Sequence, residues 1–330
     1  MRKSNTNHNT LWTMGFIRMC IANFFLFASI YMLFPVLPVV MGQRLDISIA
    51  QASYMFLAFA VGMFAVGPFH SYLGDHYKRK RVLLYSVFVM LAATMGYWVV
   101  GSYFELLGLA AIQGGCFSLA TTAGITVAID ITTSFCRSSG NMAHALAARL
   151  GMLVGVGVGY WIYLSEDFQT LLYISVACGL VCMWFAGRVY VPFRAPIGIS
   201  RCNFDRFLLL RGWLPAVDLV LVAFIPGMLI PLLGQGDFSS LLLLFILALL
   251  TIPYIRMFVK LSQHCQRGTA NTTCHLSMET GILVGMVIAY HLLEKLPVWK
   301  IYQYEAIIAV IALLFFFLLV YPYYKKKKVR

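Results

Sequence analysis

The chain has 330 residues, of which 61% are hydrophobic and only 11% charged, with a mean hydropathy of +0.82. A soluble domain carries about 25% charged residues, so this composition excludes a water-soluble globular protein and selects a polytopic membrane protein. The net charge of +13 would suit a nucleic-acid binder, but the cations gather at one end of the apolar spans, which is read as a topology and lipid anchor instead.

Ten apolar stretches are long enough to cross a bilayer, at 15–40, 52–73, 82–101, 104–129, 142–164, 168–190, 213–234, 238–260, 270–291 and 302–323. In lipid each must satisfy its own backbone hydrogen bonds, so all are expected to be helices; an open sheet is excluded and the alternation of a barrel is absent. The first span is too long for a signal-peptide core and is expected to be retained. It carries two polar residues, Arg18 and Asn23, beside a group (Phe24, Phe25, Phe27, Tyr31, Met32) read as a lipid or packing face. The eight cysteines are scattered without a framework and are expected to be free thiols.

Between spans two and three lies "SYLGDHYKRKRVLL". Asp75 stands at the inner end of span two, ahead of the cationic block 78–81, and can pair with Arg79 or Arg137. Gln113 is polar within span four, and Asp130 ends that span shortly before Arg137. In span five, "GMLVGVGVGYW", Gly151, Gly155 and Gly159 recur every four residues and predict one helix face open to close backbone contact. No strand precedes them, so a nucleotide-binding reading fails. Arg149 lies just ahead of the first of them. A charge inside a span is costly and is a functional candidate by default; Arg18, Arg149, Asp218 and Glu279 are four worth weighing. Asp218 is near its helix start, where it could act as a cap, whereas Glu279 is deep enough that its ionised form needs a partner or a proton.

Arg188 to Arg211 is the longest polar interior stretch, dividing the chain into 1–190, a linker at 191–211, and 212–330. The halves echo one another. "RSSGNMAHALAARLGMLVGVGVGY" at 137–160 returns at 267–290 as "RGTANTTCHLSMETGILVGMVIAY", with eight ungapped identities, and Arg149 returns as Glu279. A fixed-period echo marks a duplicated architecture. The first half has six spans and the second four, so a helix pair is expected to be missing after Leu233, at the junction 234–238. The set His264, Cys265, Cys274 and His275 suggests a metal but fits no common zinc spacing, and the Asn271 glycosylation pattern falls on the inner side. Arg and Lys crowd the inner loops, while Arg44, Lys295 and Lys300 are the outer exceptions; both termini are therefore expected in the cytoplasm.

The loop at 71–84 resembles the signature G-x-L-a-D-R-x-G-R-[RK] of the major facilitator superfamily. Leu73, Gly74, Asp75, Arg79 and Lys80 fit it, while Ser71, His76 and Lys78 replace its Gly, Arg and Gly. Span five also resembles the fifth-helix motif G-x-x-x-G-P-x-x-G-G of exporters in that family, with Val156 in place of its Pro. The resemblance implies a parallel-repeat bundle of about ten helices, six plus four. It implies a gate of Asp75, Arg79, Lys80, Asp130 and Arg137, and a cavity with Asn23 and Gln113 on its lining helices. The expected function is proton-coupled efflux of a small organic molecule, by an antiporter-like monomer in the inner membrane, with a proton gradient and no other cofactor. It is not expected to be an enzyme. The competing expectation is a shortened, transport-inactive scaffold, regulator or decaying paralogue, because loss of the helix that packs on span five would expose its glycine face.

Overall fold

The computed structural model describes residues 10–133, 135–192, 201–204, 207–233, 239–263 and 266–328, and these are helical without strands. Among the described residues, nine helical stretches are long and apolar enough to cross a membrane, from Met14–Tyr31 to Val298–Lys327. The remaining predicted span, Arg79–Gly96, begins with three cations and so falls below the apolar average of the others. It packs between spans four and six as a member of the same bundle.

Local chemistry sets the boundaries. Thr13, Ser102 and Asp167 each accept a hydrogen bond from a backbone N–H three residues on, capping spans one, four and six. Proline interrupts the predicted continuous stretches. Span one stops at Tyr31 and resumes at Leu37–Leu45 beyond Pro35; span two passes through a 3₁₀ turn at Gly67–Phe69; span eight splits into Ser239–Leu250 and Ile252–Leu261 at Pro253. At the turn before span three, Lys78 takes φ 67° where the family signature has glycine. The tight turn therefore forms without the glycine, at a steric cost of about 1 kcal/mol or more.

Spans five (Arg137–Ser165) and nine (Arg267–Leu293) play the same part in the two halves. A Cβ on Gly151, Gly155 or Gly159 would lie 2.2, 2.7 or 2.2 Å from the carbonyl oxygens of Phe24, Ala28 and Met32 of span one. A Cβ on Gly281 or Gly285 would meet the carbonyls of Val220 and Phe224 of span seven at 2.4 and 2.3 Å. Gly281 and Gly285 are the echoes of Gly151 and Gly155, and Val220 and Phe224 keep the spacing of Phe24 and Ala28. One helix-on-helix joint has been used twice. The glycine face is thus covered by span one, which corrects the expectation that a missing hairpin would expose it. Span eight lies along span five as well, with Leu241 at 3.7 Å from the Cβ position of Gly157. The junction 234–238 lies outside the described residues. Span nine reaches across to spans two and four, so the seam between halves runs through the middle of the bundle.

Candidate functional site

Residues four apart stack on one helix face. That places Asn141, Ala145 and Arg149 in line on span five, and their echoes Asn271, His275 and Glu279 in line on span nine. The two ladders face each other. Asn141 Nδ2 donates to Asn271 Oδ1 at 3.3 Å, and Arg149 Nη1 lies 3.6 Å from Glu279 Oε1. Both contacts join a residue to its own repeat counterpart, as happens only on a two-fold-like axis. One repeat position thus carries opposite charges in the two copies.

The pair is buried, with Arg149 5% and Glu279 1% exposed. The Arg149 guanidinium also lies over the Phe27 ring, 5.4 Å from its centroid, and touches the Met152 sulfur at 3.8 Å. Glu279 Oε2 accepts from the Tyr31 hydroxyl at 2.5 Å, while Oε1 has no hydrogen bond and only the 3.6 Å ion contact. An ion pair so incompletely bonded contributes little net stability, because desolvation offsets the Coulomb gain. It leaves Glu279 free to change partners.

His275 connects this pair to span four. The Thr121 hydroxyl is within donating distance of the Phe117 and Ser118 carbonyls, 2.9 and 3.0 Å, so it accepts from His275 Nε2 at 2.9 Å. His275 Nδ1 then faces Glu279 Oε1 at 3.7 Å. A neutral imidazole with its hydrogen on Nε2 presents a lone pair there. At 3.7 Å the two atoms are not hydrogen-bonded, so His275 borders the carboxylate without neutralising it.

On one side of these residues, Phe27, Phe117, Phe59, Phe34 and Tyr31 form a closed ring of aromatic contacts at centroid distances of 4.7–6.0 Å. Beyond it Tyr290 donates to the Pro35 carbonyl at 3.0 Å, Glu294 accepts from Ala50 N at 2.9 Å, and His291 meets Tyr54 at 3.1 Å. This far end is sealed. On the basic side lies a vestibule of about 480 Å³, lined by Asp75, Arg79, Asp130, Arg137, Asn141 and Arg267 among others. Arg79 bonds Asp130 at 2.5 Å and Asp75 at 3.2 Å, tying the basic-side ends of spans two, three and four.

Several expected site residues lie elsewhere. Gln113 donates to Thr94 and accepts from Tyr97, so it is spent on joining spans three and four and does not face a cavity. Arg18 and Lys80 donate to the backbone carbonyls of Arg188 and Val189, anchoring the end of span six. Asp218 is no cap; it is fully buried and accepts from Tyr254 of span eight at 2.5 Å. Asn23 does reach the centre, bonding the His144 carbonyl at 2.8 Å. Phe27 and Tyr31, read from sequence as a lipid or packing face, are buried against the site. His275, set aside as a failed metal ligand, touches Glu279; His264 and Cys265 lie outside the described residues. The signal for Asn271 and Asn141 was available, since both are identities within the echo, but nothing in a single helix says that echoes meet. Glu305 was also missed. Buried at 3%, it holds the place in span ten that Ser175, bonded to Ser29, holds in span six.

The sequence profile described as "Major Facilitator Superfamily" matches residues 19–252. Among solved structures, a point mutant of the nucleoside transporter NupG superposes with TM-score 0.60 at 11% identity, covering 92% of this chain and 100% of that one. The human organic anion transporter MFSD10 (TETRAN) superposes with TM-score 0.54 at 13% identity, covering 94% and 98%. No curated protein matches the chain by sequence.

Proposed function

Because the chain belongs to the Major Facilitator Superfamily, and is therefore a membrane transporter by family, we propose that it performs proton-coupled efflux of a small organic molecule by alternating access. The observation that carries this reading is the Arg149–Glu279 pair on the seam between the halves, with Arg149 lining a small chamber that shares Thr122 and Thr272 with the basic-side vestibule, while contacts such as Tyr290 to the Pro35 carbonyl close the far side. A carboxylate that meets the opposite half only through one 3.6 Å contact and one tyrosine can trade its arginine for a proton, and the trade loosens the seam. Rocking of the halves about the seam then exposes the centre to the other side. The outward direction rests on the resemblance of Gly151, Gly155 and Gly159 to the exporter motif.

The excess of Arg and Lys in one set of loops supports both termini lying in the cytoplasm of a cell with an inner membrane, where the monomer would work. In that orientation the vestibule faces inward, and Asp75, Arg79, Asp130 and Arg137 sit at its mouth as the gate cluster. Asn23 and Arg149 are the proposed solute contacts, and a proton gradient is the only cofactor. NupG and MFSD10 differ in the solutes their names give, so their likeness supports the fold and leaves the solute to be found by other means.

The test is uptake and release of a solute panel in proteoliposomes, with the pH gradient imposed and collapsed. Transport of at least one solute that follows the gradient, and loses that dependence in Glu279→Gln, is the expected result. No gradient-dependent flux for any solute, with Glu279→Gln melting like the parent chain, would instead support the transport-inactive scaffold.

A further inference from the structure

The seam encloses a small chamber of about 60 Å³ beside Arg149, lined among others by Asn23, Phe27, His144, Asn271 and His275. It has room for a head group of a few heavy atoms rather than for a whole solute. Thr122 and Thr272 line both this chamber and the vestibule, so a tail attached to such a head would run toward the basic end.

The groups left without partners around it are mainly hydrogen-bond donors. Asn23 Nδ2 donates to the His144 carbonyl at 2.8 Å and lies 3.2 Å from His144 Nδ1. Nδ1 is therefore the lone-pair nitrogen and Nε2 carries the hydrogen, an assignment made from the network. Nε2 is buried and makes no hydrogen bond. Asn271 uses its oxygen on Asn141 and leaves its amide nitrogen buried and unbonded. With the Arg149 guanidinium, three donors belong to residues that line one small space, and the unbonded Thr122 hydroxyl there can serve either way. A buried donor without an acceptor is a standing cost, which an acceptor-rich, negatively charged group removes. A cationic head would meet the Arg149 charge and these donors, with the Thr122 hydroxyl as an acceptor.

We propose that the solute is a small organic anion whose charged head takes Arg149 from Glu279, and that the proton Glu279 then binds moves together with it. The proposal rests on the alternating-access transporter reading above and names its substrate class, and it departs from the outward, exchange-type coupling given there. Charge counting supports the linkage. Empty, Arg149 is balanced by Glu279; loaded, it is balanced by the anion, and a protonated Glu279 keeps the site neutral. The groups facing Glu279 are Arg149 from span five, Tyr31 from span one and His275 from its own helix, with His144 of span five and His70 of span two next around His275. Among these described residues none supplies a second fixed cation, so an anion on Arg149 makes the ionised carboxylate costly. Anion and proton thus bind cooperatively and travel the same way, in contrast to the exchange expected from the exporter resemblance.

The experiment uses the purified full chain in detergent and calorimetry with near-isosteres that differ in charge: benzoate and benzenesulfonate, benzamide, and benzylamine, with acetate as the minimal anion. Titrations at about pH 6 and about pH 8, in two buffers of different ionisation enthalpy, count the protons taken up. We expect at least one of the anions to bind roughly tenfold or more tightly than the neutral and cationic analogues, with about one proton taken up and tighter binding at the lower pH. Glu279→Gln should bind the same anion with no proton uptake and a flat pH profile, a result that a merely structural role would not produce. Arg149→Gln combined with Glu279→Gln buries no charge and should fold, yet lose anion binding by about tenfold or more. Equal binding of benzamide or benzylamine, failure of all three anions, or anion binding without proton uptake would each overturn the inference. Gradient-driven flux of a non-anionic solute, with no anion binding, would sink this proposal and leave the transporter reading standing. Anion binding with proton uptake but no flux of any solute would do the reverse.

Discussion

Exchanging the two charges on the seam tests whether the repeat axis organises the centre. Arg149→Glu places two carboxylates where the pair now sits at 3.6 Å, and Glu279→Arg places two guanidinium groups there. At an effective dielectric constant of about 20, unit charges at that separation interact by roughly 5 kcal/mol, and breaking a buried pair costs about 3–5 kcal/mol. The two single variants should not be equal. Paired carboxylates can share one proton and relieve much of the repulsion, whereas a guanidinium does not release its proton in a protein. Glu279→Arg should therefore be the worse of the two, with an apparent melting temperature lower by on the order of 10 °C. The double exchange restores opposite charges at positions related by the axis and should recover to within about 1–2 kcal/mol of the parent. A thiol-reactive dye at fixed scan rate is the assay, since Cys182 and Cys274 are 1% and 3% exposed and become reactive as the bundle opens. If the exchanged chain melts where the sum of the two single losses puts it, the pair does not hold the seam and the axis argument fails.

Three further outcomes are expected. Gly155→Ala, whose Cβ would lie 2.7 Å from the Ala28 carbonyl, should cost about 1–3 kcal/mol in the same melting assay, while Gly157→Ala, with nothing nearer than 3.7 Å, should be neutral or stabilising; equal effects would contradict the joint. Lys78→Gly should raise stability by about 1 kcal/mol by relieving the positive φ, and a drop in melting temperature would show that the lysine side chain matters more than the backbone. Cys202, exposed in the linker, should react with a membrane-impermeant maleimide in inverted vesicles and not in right-side-out ones, and the opposite pattern would reverse the proposed orientation.

Much of the architecture is legible in the chain as text. Long apolar stretches must become helices in lipid, cations mark one end, and an echo of eight identities reveals two halves built on one plan. The glycine spacing at Gly151, Gly155 and Gly159 foretells a close joint, because a missing Cβ has no other common use at that period in a membrane helix. Asp75 and Arg79, four residues apart in the signature loop, pair across the turn at Lys78.

The centre depended on the third dimension. Gln113 and Asn23 read alike as lone polar residues in apolar helices, yet one is saturated by Tyr97 and Thr94 and the other stands against His144 in the chamber. Tyr31 looks like any aromatic on a lipid face until span nine brings Glu279 within 2.5 Å of its hydroxyl. A helix declares its periodicity but not its neighbour, and burial, hydrogen-bond partners and counter-charges all belong to the neighbour. The sequence by itself determined that Arg149 and Glu279 are the same position written twice; only the fold, by turning the two copies to face each other, made them a pair.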